Sequence, residues 1–200
     1  ELRDNLEEIF QAHPEIKSED WKRRDIGKIR KIVESISPQL FQPFQGTEAQ
    51  RLLLEATSLL NLGKRKEALQ YLDKALKIDP KLAKAWISKA IALGELGMLT
   101  KALECFDQAL RIDPRDHAGW SGKGAVLWHL GRFGEALECF DTALGLCPPD
   151  ARFTSAHILC EKAEALLEMG RPEQALACCE KALKMDSTCL GVWNAKGAAL

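Results

Sequence analysis

The triplets Ile78-Asp79-Pro80, Ile112-Asp113-Pro114 and Leu146-Cys147-Pro148 recur at intervals of 34 residues. Ala68, Ala102 and Ala136 keep the same step, as do Ala75, Ala109 and Ala143. Leu72 is answered by Phe106 and Phe140, and Gly63, Gly97 and Gly131 mark one turn per period. A period of this length holds one supersecondary unit, which cannot bury its apolar face alone, so successive units must stack. Small residues such as Ala90 and Gly124 in the first half of a unit, and Ala102 and Ala136 in the second, let two helices approach closely. Trp86, Leu93 and Phe106 fill the space beside them. Glycine punctuates the turn inside each unit, and Pro80, Pro114 and Pro148 stop one unit before the next starts.

These residues resemble the tetratricopeptide repeat, a family of helix–turn–helix units, over about residues 49–200. The resemblance implies an all-α protein, a right-handed α-solenoid whose first helices line a concave side. Residues 48–200 divide into repeats at 49–82, 83–116, 117–150 and 156–189, with a partial repeat from Leu190. Repeat four departs from the pattern: Leu159 replaces the tryptophan, Cys179 the aromatic and Ser187 the proline. Residues 151–155 are an insertion; Asp150 can cap a helix from Ala151 to about Met169.

Residues 1–47 form a separate segment. Leu2, Leu6, Ile9 and Phe10 make one helical stripe ended by Pro14, and Trp21, Ile26, Ile29, Val33 and Ile36 a second ended by Pro38. With the linker that follows, they are expected to cap the open end of the solenoid. The chain starts at Glu1 and ends at Leu200 inside a repeat, so it is expected to be part of a longer protein.

Composition narrows the function classes. The net charge is −1, from 28 basic and 29 acidic side chains, without the basic excess of a nucleic-acid or anionic-membrane binder. The run Lys22–Lys31 is basic, but acidic neighbours balance it, so a solvated helix face accounts for it and nucleic-acid binding is the lesser alternative. No apolar run approaches the roughly 18 residues of a membrane helix. The seven cysteines form no C-x-x-C pair, and no histidine cluster has ligand spacing. Cys105, Cys139 and Cys178 follow the repeat, as packing residues do. Reduced thiols point to a cytoplasmic home. No nucleophile stands at a telling distance from a base, and no phosphate loop appears. The expectation is a non-enzyme with no cofactor and no metal.

The resemblance also implies where a protein or peptide partner would lie. First-helix positions 2, 5, 9, 12 and 13 face the groove in this family. They give Leu53 and Thr57 in repeat one, and Lys84, Ile87 and Ile91 in repeat two. Repeat three supplies Ser121, Ala125, Trp128 and His129, and repeat four His157, Cys160 and Glu164. A subclass of the family grips a free carboxylate with Lys and Asn at positions 5 and 9. Here those positions hold Leu53 and Thr57, then Ile87 and Ile91, which cannot do so. Large apolar residues beside small Ala125 and Ser121 suit an apolar side chain or an amphipathic helix, with Glu164 and Glu168 available to a basic residue. Trp128 lies about 80° round the helix from Trp120. Two roles stay open for it: a groove anchor, or a filler against the next repeat. The alternative to a peptide scaffold is a regulatory or self-associating arm that packs through its incomplete terminal repeat.

Overall fold

The structure, a computed structural model, describes residues 47–186. The expected N-terminal helices, the linker and the partial repeat from Leu190 lie outside the described residues. Eight helices are described: α1 (Glu48–Asn61), α2 (Arg65–Ile78), α3 (Ala83–Glu95), α4 (Leu99–Ile112), α5 (His117–His129), α6 (Phe133–Leu146), α7 (Arg152–Glu168) and α8 (Pro172–Met185). No strand occurs among these residues, so this part is all-α.

Each odd-numbered helix packs on its even successor as one repeat, and each even helix packs on the next odd one. The first helices of adjacent repeats also touch, α1 with α3, α3 with α5, and α5 with α7. The second helices do not touch one another. The stack therefore bends toward its first helices, which form the inner side. Within each repeat the turn passes through a glycine in left-handed backbone, with φ of 73° at Gly63, 75° at Gly97 and 74° at Gly131. That region penalises any residue with a Cβ, which explains the invariant spacing of these glycines.

The Ile-Asp-Pro triplet is the joint between repeats. Asp79 Oδ1 accepts the Lys81 backbone N–H at 3.0 Å, and Asp113 Oδ1 accepts that of Arg115 at 3.0 Å. The side chain thus closes a turn of the kind that suits an Asp before Pro. The proline carbonyl then accepts the indole N–H of the next repeat's tryptophan. Trp86 Nε1 lies 2.9 Å from the Pro80 oxygen, and Trp120 Nε1 lies 2.9 Å from that of Pro114. At the third joint Cys147 stands for the aspartate and Leu159 for the tryptophan, so neither bond forms. Instead Ser155 Oγ donates to Cys147 Sγ at 3.2 Å. Here the chain holds the insertion. It lengthens α7 to 17 residues, against 13 for α3 and α5. The helix starts after Ala151, which makes no side-chain cap bond. Asp150 is not its cap, because the capping position falls one residue later, on Ala151, whose methyl side chain has no acceptor.

The core runs through the stack as alternating small and large residues. Phe106 and Phe140 are almost fully buried, and Ala90, Ala102, Ala136 and Ala163 are closed off from water. Gly124 is small for a reason: a Cβ there would lie 2.7 Å from Cε1 of Phe140. Among the described residues no polar or charged side chain is fully buried. Cys105 and Cys139 are core residues with free thiols that burial pushes up from their ordinary pKa. Both remain protonated at neutral pH, as packing residues would.

Candidate functional site

The inner face is built from α1, α3, α5 and α7. Between α3 and α5 lies a hollow of about 230 Å³. Its floor is Phe106 with Ala90 and Val126, and its walls are Ile91, Gly94, Gly122 and Ala125. Glu95 and His129 stand at the rim. The hollow exists because Gly122 has no side chain. A Cβ at that position would collide with the ring of Phe106. Ile91 leaves 46% of its surface open to solvent, high for an isoleucine within a packed array.

The structure brings Ile91, Ala125 and His129 together around this hollow. It places the other expected residues differently. Ile87, at 8% exposed, and Cys160, at 5%, are in the core. Ile87 is drawn there because Gly119 leaves a gap that Ile87 and Leu110 fill. Position 5 in these two repeats is therefore under the surface and offers a guest no contact as it stands. Leu53 is half-buried against the cluster of Ala56 and Leu72. Thr57 is exposed, but its hydroxyl donates to the Leu53 carbonyl at 2.8 Å. Lys84 is exposed near the start of α3.

Trp128 belongs to the joint with repeat four. It is half-buried against the cluster that contains Leu127, Ala156 and Leu159. Its ring lies 4.6 Å from that of His129, tilted by 52°. Its Nε1 is enclosed and has no hydrogen-bond partner. The large aromatic without an echo thus packs against a core cluster that spans repeats three and four.

Beyond α5 the inner face turns polar. Ser121 Oγ donates to Glu161 Oε2 at 3.2 Å, and His157 Nδ1 lies 3.8 Å from Glu161 Oε1. Burial pushes the Glu161 carboxyl above its usual range; His157 and Ser121 pull it back, and Glu164 adds to the rise. Glu161 was missed by the family's list of groove positions because it sits at position 6. The register held a signal: the equivalent positions are Leu54, Ser88 and Gly122, so a carboxylate there is out of pattern.

A larger hollow, of about 450 Å³, opens between α2 and α4, beside Trp86 and over Cys105. It lies away from the inner face, and its Lys89 is already paired with Asp73. No group of three or more metal-ligating side chains occurs among the described residues. None of the described helices is long and apolar enough to cross a membrane.

Stacked helix pairs with an open inner face define a helical-repeat scaffold of the kind that serves protein interaction. The chain belongs to the tetratricopeptide repeat family, whose models match residues 53–116, 87–151 and 156–189. Among solved structures it is similar to PilW, a type IV pilus biogenesis factor, with 24% identity and a TM-score of 0.70 over 77% of this chain and 71% of that one. It is similar to PilF of Pseudomonas aeruginosa, with 24% identity and a TM-score of 0.69 over 76% and 67%. MamA of Desulfovibrio magneticus gives 23% identity and a TM-score of 0.66 over 77% and 84%. At these identities the likeness is one of fold. No curated protein matches the chain significantly by sequence.

Proposed function

We propose that the array is a non-catalytic scaffold, a module of a larger protein, that takes an apolar or amphipathic segment of a partner along α3 and α5. The observation that carries this is the hollow over Phe106, where an exposed isoleucine faces small residues. An apolar side chain entering it would remove both its own surface and that of Ile91 from water, at about 25 cal/mol per Å². The repeat-bound cysteines, used as packing residues, support a reducing, cytoplasmic setting.

The test is capture of a partner by the full chain compared with Ile91→Glu and Ala125→Glu, followed by overlapping peptides from the captured protein. Both variants alter surface residues and should keep the helical circular dichroism of the parent. Capture should fall at least tenfold, as for a groove anchor. Undiminished capture by both variants would remove the groove from consideration.

A further inference from the structure

The hollow and the Glu161 carboxylate lie on opposite flanks of one stretch of α5. Gly122, Ala125 and His129 face the hollow. Ser121, one turn before Ala125, reaches the other way to Glu161. The two ends of this surface differ in charge balance. At the near end Glu95 is paired with Arg65. At the far end no lysine or arginine among the described residues pairs with Glu161 or Glu164. Lys162, next in sequence to Glu161, is turned to Asp141 on α6. Glu161 has a serine hydroxyl and an imidazole that carries charge only when protonated. Its side chain is 26% exposed, so it is partly withdrawn from water without a permanent cation to compensate.

We propose that the guest segment is cationic to one side of its apolar anchor: the anchor fills the hollow between α3 and α5, and a lysine or arginine of the same segment crosses α5 to pair with Glu161 and Glu164. This rests on the groove reading above and adds the partner's chemistry to it. An apolar or acidic guest that covered Glu161 would withdraw an uncompensated carboxylate further from water, which is unfavourable. A guanidinium or ammonium supplies the missing charge and donors. Packed helices lie ~8–10 Å apart. An extended guest advances ~3.3 Å per residue, so its cation stands about three residues from the anchor. A helical guest, rising ~1.5 Å per residue, would place it about six residues away.

The probe is a displayed library of random short peptides, panned against the full chain. Enriched peptides should carry a large apolar residue and a lysine or arginine at a fixed separation. A synthetic copy of such a peptide should lose about tenfold in affinity on the Glu161→Gln/Glu164→Gln double variant. Its binding to the parent should weaken with added salt. Enriched peptides without a basic residue, or with affinity unchanged on the double variant, overturn the cationic partner. If those peptides still fail on Ile91→Glu, the groove reading stands without it. Insensitivity to both Ile91→Glu and Ala125→Glu, or no enrichment at all, overturns the groove and this proposal together. Glu164→Gln alone, which leaves the Ser121–Glu161 hydrogen bond in place, repeats the test should the double variant melt at a lower temperature.

Discussion

Lys89 Nζ lies 2.7 Å from Asp73 Oδ1 of the preceding repeat and 5.3 Å from the ring centroid of Trp86 in its own. One repeat later Lys123 takes the same place, 2.7 Å from Asp107 and 5.5 Å from Trp120. Lys162 pairs with Asp141 in the third copy, where no tryptophan is present. These pairs join α3 to α2, α5 to α4 and α7 to α6, and so run up the stack as a ladder. The aspartates are half-exposed, which limits what each pair contributes. A double-mutant cycle on Lys89→Ala and Asp73→Ala should give a coupling of about 0.5 kcal/mol in urea unfolding. Trp86→Phe, which deletes the indole donor to Pro80 while keeping a ring, should cost about 1 kcal/mol or more. A ladder coupling above that of the Trp86 bond would reverse this ranking.

The glycines of the array divide by environment, and alanine substitution should show it. Gly124→Ala sets a Cβ against Phe140 and should destabilise by about 1–3 kcal/mol through overpacking. Gly134, in α6, has no neighbour within 4 Å of such a Cβ and no positive φ. Gly134→Ala should therefore stabilise by about 0.4–1 kcal/mol, by reducing the freedom of the unfolded chain. Thermal melts of the two variants should move in opposite directions; a rise in both would mean that helix propensity, and not packing, governs both sites, and a fall in both that Gly134 is not open to a Cβ.

The repeat itself was legible because it rests on local chemistry. The Ile-Asp-Pro triplet, the glycine turns and the Ala–Phe alternation each act within one unit or between neighbours, so their spacing alone placed the helices. The groove was less legible because its shape depends on which residue is absent. Gly122 makes the hollow, while Gly119, three residues away on the same helix, lets Ile87 sink out of reach. A positional rule assigns Ile87 and Ile91 alike to the groove, but one is in the core and the other is open. Glu161 escaped for the opposite reason. Its position carries no charge in the other repeats, where Leu54, Ser88 and Gly122 stand, and its partners, Ser121 and His157, come from two different helices.

Trp128 offers a test of the joint between repeats three and four. Its indole N–H is enclosed without an acceptor, which costs stability that its ring packing must exceed. Trp128→Phe removes the orphan donor and keeps most of the apolar contact. It should leave urea stability unchanged or higher. Trp128→Ala should cost about 3 kcal/mol or more, through the cavity left beside Leu127 and Leu159. A large loss in the phenylalanine variant would show that the N–H does find a partner in solution.

Glu161 gives the array a pH signature that can be read without any partner. Burial raises its carboxyl pKa in the folded chain, so the native state holds this proton more tightly than the unfolded state does. The contribution to stability is then fully present below the unfolded carboxylate range and is lost as pH rises through the raised value. At neutral pH the ionised group is a net cost to folding. Glu161→Gln should accordingly stabilise the protein at pH 7, and that gain should shrink as pH falls through the raised folded value and be gone below the ordinary carboxylate range of about 4.3, where the unfolded chain is protonated too. Gln keeps an acceptor for the Ser121 hydroxyl, so the hydrogen bond is conserved while the charge is removed. His157→Gln in the parent should enlarge the cost, since the imidazole is the group that offsets it most. Urea titrations of the three proteins across this pH range measure the effect. A Glu161→Gln variant less stable than the parent at pH 7 would mean that His157 already compensates the carboxylate in full.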